Sequence, residues 1–330
     1  MIRREFLRAV LGASGSTVLI PSFSFGGRTM TGQSDELGPL LPLRPFANTG
    51  EKLTIMGIGG WHIGDCEESE SQRIIETAIE NGVRFFDNAW KYHNGLSEER
   101  HGKFLTPKYR SHVFLMSKAD SREGPSPRKQ LEDSLRRMRT DYLDLWLIHT
   151  VSSPEDAMNR VPEMLPIIEK AIDEGKVRYA GFSGHTVTSA HLKVLEIAKG
   201  GPLKTCLMPI SPVDAVSRDS FTIKVLPKLL DQGYAPLAMK TMNSGRALNT
   251  YGGKSVVPGR LSFEENFWFT LSLPICSWVS GIPNLANLRQ NIDIAKRFTS
   301  LTDSDRSAIA DKVTEVADAS GLEPYRGWLY

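Results

Sequence analysis

Four residues in this chain are of types that together could move a proton to a carbonyl oxygen: Asp87, Tyr92, Lys118 and His149. A tyrosine can protonate such an oxygen if its pKa is lowered from about 10. A neighbouring ammonium favours the phenolate and so lowers that value. Lys118 is the candidate ammonium, and Asp87 would keep it charged and in place. His149 could hydrogen-bond the same carbonyl and orient it. Such a set donates a proton in carbonyl reduction without a metal, and the hydride must come from a cofactor. Taken singly, each residue has an ordinary structural use. Asp87 could cap a helix, Lys118 could hold a structural ion pair, His149 could be a satisfied core histidine, and Tyr92 could simply pack.

Their placement along the chain argues for a joint role. From residue 43 onward one unit recurs: a short apolar run, a turn and an amphipathic stretch. The runs fall at 54–58, 83–86, 113–116, 143–148, 177–182, 205–209, 234–239 and 277–282. Strands alternating with helical patterns imply βαβ units and a parallel sheet. Between runs the apolar period becomes helical, as in Ile74-Ile75-Ala78-Ile79, Leu131-Leu135-Met138, Leu165-Ile168-Ile172 and Leu192-Leu195-Ala198. Eight such units fit a closed (β/α)8 TIM barrel better than an open sheet. Gly57-Ile58-Gly59-Gly60-Trp61 also lacks the GxGxxG spacing of a dinucleotide-binding open sheet. Residues 45–52, turning at Asn48-Thr49-Gly50, read as an N-terminal β-hairpin that plugs the barrel bottom. In this fold the chemistry sits where strands end. Asp87, Lys118 and His149 follow the second, third and fourth runs, and Tyr92 lies in the second loop, so all four are expected on one rim.

Composition narrows the alternatives. Forty basic residues against 38 acidic ones leave no excess charge to hold a nucleic acid. No apolar run reaches the length of about 18 residues that a spanning helix needs. Cys66, Cys206 and Cys276 form no CxxC pair, which disfavours a zinc ribbon, a cysteine-held cluster and a disulfide scaffold. The first 26 residues are set apart. Arg3-Arg4-Glu5-Phe6-Leu7-Arg8, followed by a weakly apolar stretch at 9–20 and Pro21, resembles a twin-arginine (Tat) export signal. That resemblance implies the Tat export machinery as a partner and a periplasmic location. Ser22-Phe23-Ser24-Phe25-Gly26 has no Ala-x-Ala, which leaves an uncleaved anchor as the alternative. An amphipathic N-terminal helix on a cytoplasmic protein is the other alternative, disfavoured by Gly12, Ser14, Gly15, Ser16 and Thr17. The expected organisation is a signal at 1–26, a Gly/Thr/Ser-rich linker at 27–42, and a barrel with a C-terminal tail at 43–330.

With these motifs in order, the chain resembles an aldo-keto reductase over residues 43–310. The resemblance rests on residues 82–89 (GVRFFDNA), 92–98 (YHNGLSE), Ser117-Lys118, 141–149 (DYLDLWLIH) and 174–183 (EGKVRYAGFS). It implies a catalytic tetrad of Asp87, Tyr92, Lys118 and His149. It further implies NADP(H), or less often NAD(H), with no metal. Cofactor contacts carry over onto Ser183, Met239, Lys240, Gly281, Asn284, Arg289 and Asn291, and substrate contacts onto Trp61, Trp90 and His93. The chain also departs from the family pattern. Gly184 replaces a common Asn, Leu207-Met208 offers no Gln, and Met239 stands where a stacking Tyr is frequent. Met239-Lys240 followed by Gly245 is similar to an iron–sulfur subgroup, but the cluster cysteines are missing, so no cluster is expected. The expected activity is NAD(P)-dependent interconversion of an aldehyde or ketone and an alcohol, by a monomer or small homo-oligomer. A nicotinamide-binding redox sensor or regulatory subunit on the same barrel is the alternative, and an unrelated barrel lyase or isomerase the third. If the twin arginines direct export, changing Arg3 and Arg4 together to Lys blocks it, as read by cell fractionation. Unimpaired export of that variant would defeat the Tat reading.

Overall fold

Two antiparallel hairpins precede a barrel of eight parallel strands in the computed structural model, which describes residues 29–120, 122, 124–245, 260–318 and 321–327. The signal-like segment 1–26 lies outside the described residues. The first hairpin joins β1 (Ser34–Asp35) to β2 (Gly38–Pro39), and the second joins β3 (Leu43–Pro45) to β4 (Lys52–Thr54). The barrel strands are β5 (Met56–Gly59), β6 (Phe85–Phe86), β7 (Phe114–Ala119), β8 (Leu143–Ile148), β9 (Val177–Ser183), β10 (Leu203–Pro209), β11 (Ala235–Met239) and β12 (Ser277–Gly281). They pair in chain order, and β12 closes on β5 through Trp278 and Met56. The expected (β/α)8 barrel is thus the observed fold. Two strand ends differ from expectation. Thr54 belongs to the plug hairpin, and β7 runs on to Ala119, so Lys118 lies inside a strand rather than after one.

The helices bury the faces that periodicity marks, with shifts. In the helix Glu68–Glu80 the buried apolar residues are Ile74, Ile75, Ala78 and Ile79. In Pro154–Asp173 the buried stripe runs through Ala157, Val161, Met164, Ile168 and Ala171, while Leu165 and Ile172 flank it half-buried. Leu192 is likewise half-buried, and Ala190, Val194 and Leu195 take the core side of Thr188–Ile197.

The hairpin plug is real. Phe46 and Leu53 are buried among Phe85, Phe114, Met116, Leu145 and Leu237, which point into the barrel. The Phe46 ring lies 5.3 Å from Phe114 and 5.5 Å from Tyr179. Residues 27–42 require a correction, because from Thr29 onward they are not a free linker. Met30 bridges to Leu43, Leu41 is buried, and Asp35 accepts from Arg84 Nε at 2.7 Å and from its Nη2 at 2.9 Å. Gly82 makes this close packing possible. It holds φ +85°, and a Cβ there would meet Pro39 O at 2.4 Å.

Arg44 ties the plug to the end of the barrel. It is buried, and donates to Leu271 O at 2.6 Å, to Ile275 O at 2.9 Å and from Nε to Thr29 Oγ1 at 3.0 Å. Burial lowers its pKa to about 10. Arg44→Met would strip the donor from two buried carbonyls, each worth about 1–3 kcal/mol when left unsatisfied. A clear drop in the chemical-denaturation midpoint is expected, and an unchanged midpoint would show that the guanidinium is dispensable.

Candidate active site

β6 and β7 are neighbours, paired Phe86 to Leu115, and they deliver Asp87 and Lys118 to each other. Lys118 Nζ forms an ion pair with Asp87 Oδ1 and donates to Asn88 O at 2.6 Å. Its remaining direction faces the Tyr92 hydroxyl at 3.3 Å. Tyr92 is placed by a short 3₁₀ turn, Tyr92–Gly95. There His93, Asn94 and Gly95 all take positive φ, which bends the chain into the helix Leu96–Phe104. His149 directly follows β8, and its ring meets Tyr92 edge-on at 5.8 Å. The backbone of His149 is held on both sides, by its N–H to Ala119 O at 2.9 Å and by Arg160 to its carbonyl at 2.5 Å. The four residues of the expected tetrad therefore converge.

The electrostatics correct one expectation. Lys118 does not bring the Tyr92 pKa down. Burial, with the Asp87 carboxylate adding to it, pushes the phenol well above 10. Tyr92 is thus held as a neutral proton donor. Burial also raises Asp87 and lowers Lys118, and each group's charge opposes the shift in the other. Burial and the Lys118 cation hold His149 well below its ordinary 6.5, so its imidazole is neutral at neutral pH.

The four face a cavity of about 980 Å³. Of the expected cofactor residues, Ser183, Met239, Lys240, Gly281 and Asn291 line it, and so does Trp61 from the substrate set. Lys240 is half-buried at φ +57°, and partial loss of water lowers its pKa to about 8. Asn291 donates to Ser280 Oγ at 2.9 Å, while its Oδ1 is buried without a protein partner.

Four expected residues are not on the wall. Asn284 caps the helix Leu285–Lys296 by accepting from Asn287 N at 2.9 Å. Arg289 is exposed on the outer face of that helix. Trp90 turns away under the Arg137 guanidinium at 5.4 Å. His93 backs Trp61, with ring centroids 4.4 Å apart, and does not reach the cavity. Conversely, His62, Thr150, His185, Thr241, Trp278 and Ser280 line the cavity without having been singled out as site residues. Ser280 and His185 lay within reach of the strand-end reading, since one is the penultimate residue of β12 and the other lies two residues past β9. Tyr325 gave no such signal. It returns from the C-terminal tail to place its ring 5.8 Å from Lys240 Nζ. The Gly184 departure has a steric basis, because a Cβ there would meet Val151 O at 2.4 Å. Among the described residues no group of three or more His, Cys, Asp or Glu is placed to hold a metal ion.

The sequence profile of the aldo/keto reductase family matches residues 55–262, and the chain belongs to that family. It is 29% identical over 217 residues to an L-galactose dehydrogenase of Arabidopsis thaliana, covering 60% of this chain and 66% of that protein. It is 38% identical over 138 residues to the methylglyoxal reductase YeaE of Escherichia coli (strain K12), covering 40% and 45%. A 6-dehydroglucose reductase of Novosphingobium aromaticivorans is 26% identical over 265 residues, covering 74% and 84%. With several of these relatives the match spans about half of their length, as with 48% of an uncharacterized oxidoreductase of Bacillus subtilis (strain 168). Among solved structures, the holo form of an aldo-keto reductase from Bacillus halodurans superposes with a TM-score of 0.69 at 20% identity, covering 82% of this chain and 95% of that one. An aldo/keto reductase from Klebsiella pneumoniae, solved with NADP and acetate, gives 0.64 at 19% identity, covering 81% and 94%. These two likenesses establish the fold.

Lys118→Met would leave Asp87 buried without its partner. Removing one member of a buried pair costs about 3–5 kcal/mol. The expected result is lost turnover together with an earlier melting transition. An unchanged melting curve would mean that the pair is not what holds this rim together.

Proposed function

We propose that this chain is an NADP(H)-dependent reductase of small aldehydes and ketones, with Tyr92 as general acid. The observation that carries this reading is the Tyr92 hydroxyl, neutral, half-buried and 3.3 Å from the Lys118 ammonium, on the same cavity as His149. The cavity suits a nucleotide cofactor. Buried side-chain atoms of Thr150, Thr241, Ser244 and Asn291 on its wall have no hydrogen-bond partner among the described residues and could hydrogen-bond a ligand. Ser183, Met239, Lys240, Gly281 and Asn291 would hold the cofactor, with Lys240 supplying positive charge for its phosphates. Bound there, a reduced nicotinamide supplies the hydride.

The chain's own residues do the rest. The carbonyl oxygen is placed between the Tyr92 hydroxyl and the neutral His149 ring, which orients it. Tyr92 gives its proton to that oxygen as negative charge develops there. Lys118, held by Asp87 and Asn88 O, stabilises the phenolate that remains. Trp61 packs edge-on against Tyr92 at 5.4 Å and forms the outer wall toward solvent. The choice of NADP(H) draws support from the Klebsiella structure, which holds NADP. The choice of a small carbonyl draws support from relatives named for methylglyoxal and dehydroglucose reduction. The twin arginines Arg3 and Arg4 further support export of this reductase, with the cofactor already bound, by the Tat pathway.

Tyr92→Phe tests the assignment. NADPH binding, read by fluorescence titration, should persist, while turnover of a panel of aldehydes and ketones should fall by roughly two or more powers of ten. Turnover near the wild-type rate in that variant would falsify the tetrad.

A further inference from the structure

Glu98 lies behind the barrel wall and has no part in the mechanism above. It is fully buried in the first turn of the helix Leu96–Phe104. We propose that Glu98 is a positioning residue whose carboxylate clamps the Tyr92 loop to β7 and supplies a second negative charge that keeps Lys118 cationic. This rests on the tetrad reading.

The clamp is a closed circuit of contacts. Glu98 Oε1 accepts from Ser117 Oγ at 2.6 Å, and Oε2 accepts from Arg137 Nη1 at 3.1 Å. Successive strand residues point to opposite faces. Lys118 therefore faces the barrel interior, while Ser117 faces outward to Glu98. Arg137 Nη1 also donates to Trp90 O at 2.9 Å, and Trp90 N–H donates to Lys118 O at 3.1 Å. Gly95 leaves room for the guanidinium, since a Cβ there would fall 2.4 Å from Arg137 Cζ. The circuit thus joins the loop carrying Tyr92, the strand carrying Lys118 and the helix Pro127–Arg137.

Both Glu98 oxygens accept hydrogen bonds, as an ionised carboxylate does. Burial pushes Glu98 up, while Arg137 and the Ser117 hydroxyl oppose that shift. Lys118 faces Asp87, Tyr92, His149 and Lys240 across the cavity, and Glu98 through the wall. Burial drives the Lys118 pKa down, and the two carboxylates, Asp87 and Glu98, hold it up. An amide at position 98 could make the same hydrogen bonds to Ser117 but could not supply the charge.

Glu98→Gln separates the two roles. The expected result is about a tenfold lower kcat at neutral pH, with the alkaline limb of the kcat profile moved down by roughly one pH unit as Lys118 loses its proton earlier. KM for the carbonyl should change less than about twofold. Glu98→Asp, which restores the charge, should return the limb toward its wild-type position. The ¹³C resonance of the Lys118 ε-carbon, assigned by its loss in Lys118→Met, should titrate at lower pH in Glu98→Gln without any need for turnover. Wild-type pH limb and wild-type Lys118 titration in Glu98→Gln would overturn the proposal, even if the variant melts earlier. A wild-type enzyme inert on every carbonyl would overturn the reductase reading instead, and a shifted Lys118 resonance would still support the role of Glu98.

Discussion

The structure depends on a lysine and an aspartate that water cannot reach. Taking both charges out of water is expensive, and their attraction offsets this only with good geometry and further hydrogen bonds. Lys118 finds both, in Asp87 and in Asn88 O. The geometry comes from the sheet. Asp87 directly follows β6, Lys118 lies inside β7, and β7 is buried along its whole length. A barrel strand is a rigid mount, so the ammonium meets the Tyr92 hydroxyl at a set distance. The neutral states of Tyr92 and His149 follow from the same exclusion of water that makes the ion pair costly.

The two ends of the barrel divide the labour. One is sealed by Phe46 and Leu53 from the plug hairpin, and Arg44 fastens that plug to the backbone of residues 271–275. The other is open and carries the cavity. Backbone strain is concentrated at the open end. Among the described residues, five of the seven non-glycine residues with positive φ are His93, Asn94, Lys240, Asn243 and Ser244, in the loops after β6 and β11. Such conformations cost of order 1–3 kcal/mol each and persist where surrounding structure holds them. Here they aim Tyr92 and Lys240 at one space.

Departures from the family pattern are accommodated by local packing. Gly184 lets the loop after β9 lie against Val151, where a side chain has no room. The polar groups on this part of the wall come from other positions, among them Thr150 and His185. The C-terminal tail also joins the site. The Tyr325 carbonyl meets His185 Nδ1 at 2.9 Å, and its hydroxyl reaches Glu323 at 2.5 Å.

The sequence by itself determined the barrel, its plug and the convergence of Asp87, Tyr92, Lys118 and His149 on one rim. Period-two and period-3.6 patterns are local, and in a (β/α)8 chain the order of strands in sequence is their order in space. Residues at or next to the same ends of consecutive strands must therefore converge, as Asp87, Lys118 and His149 do. Only the tertiary structure decided which loop residues reach the cavity. Asn284 is spent on a helix cap, Arg289 faces solvent, and Trp90 lies under Arg137. It also decided the sign of the Tyr92 shift, which depends on how much water the folded rim excludes and not on which residues stand near it in the chain. Tyr325 and Glu98 act through contacts whose partners are distant in sequence or on another face of a strand. Such contacts leave no periodic trace, because packing brings the partners together only after the local elements have formed.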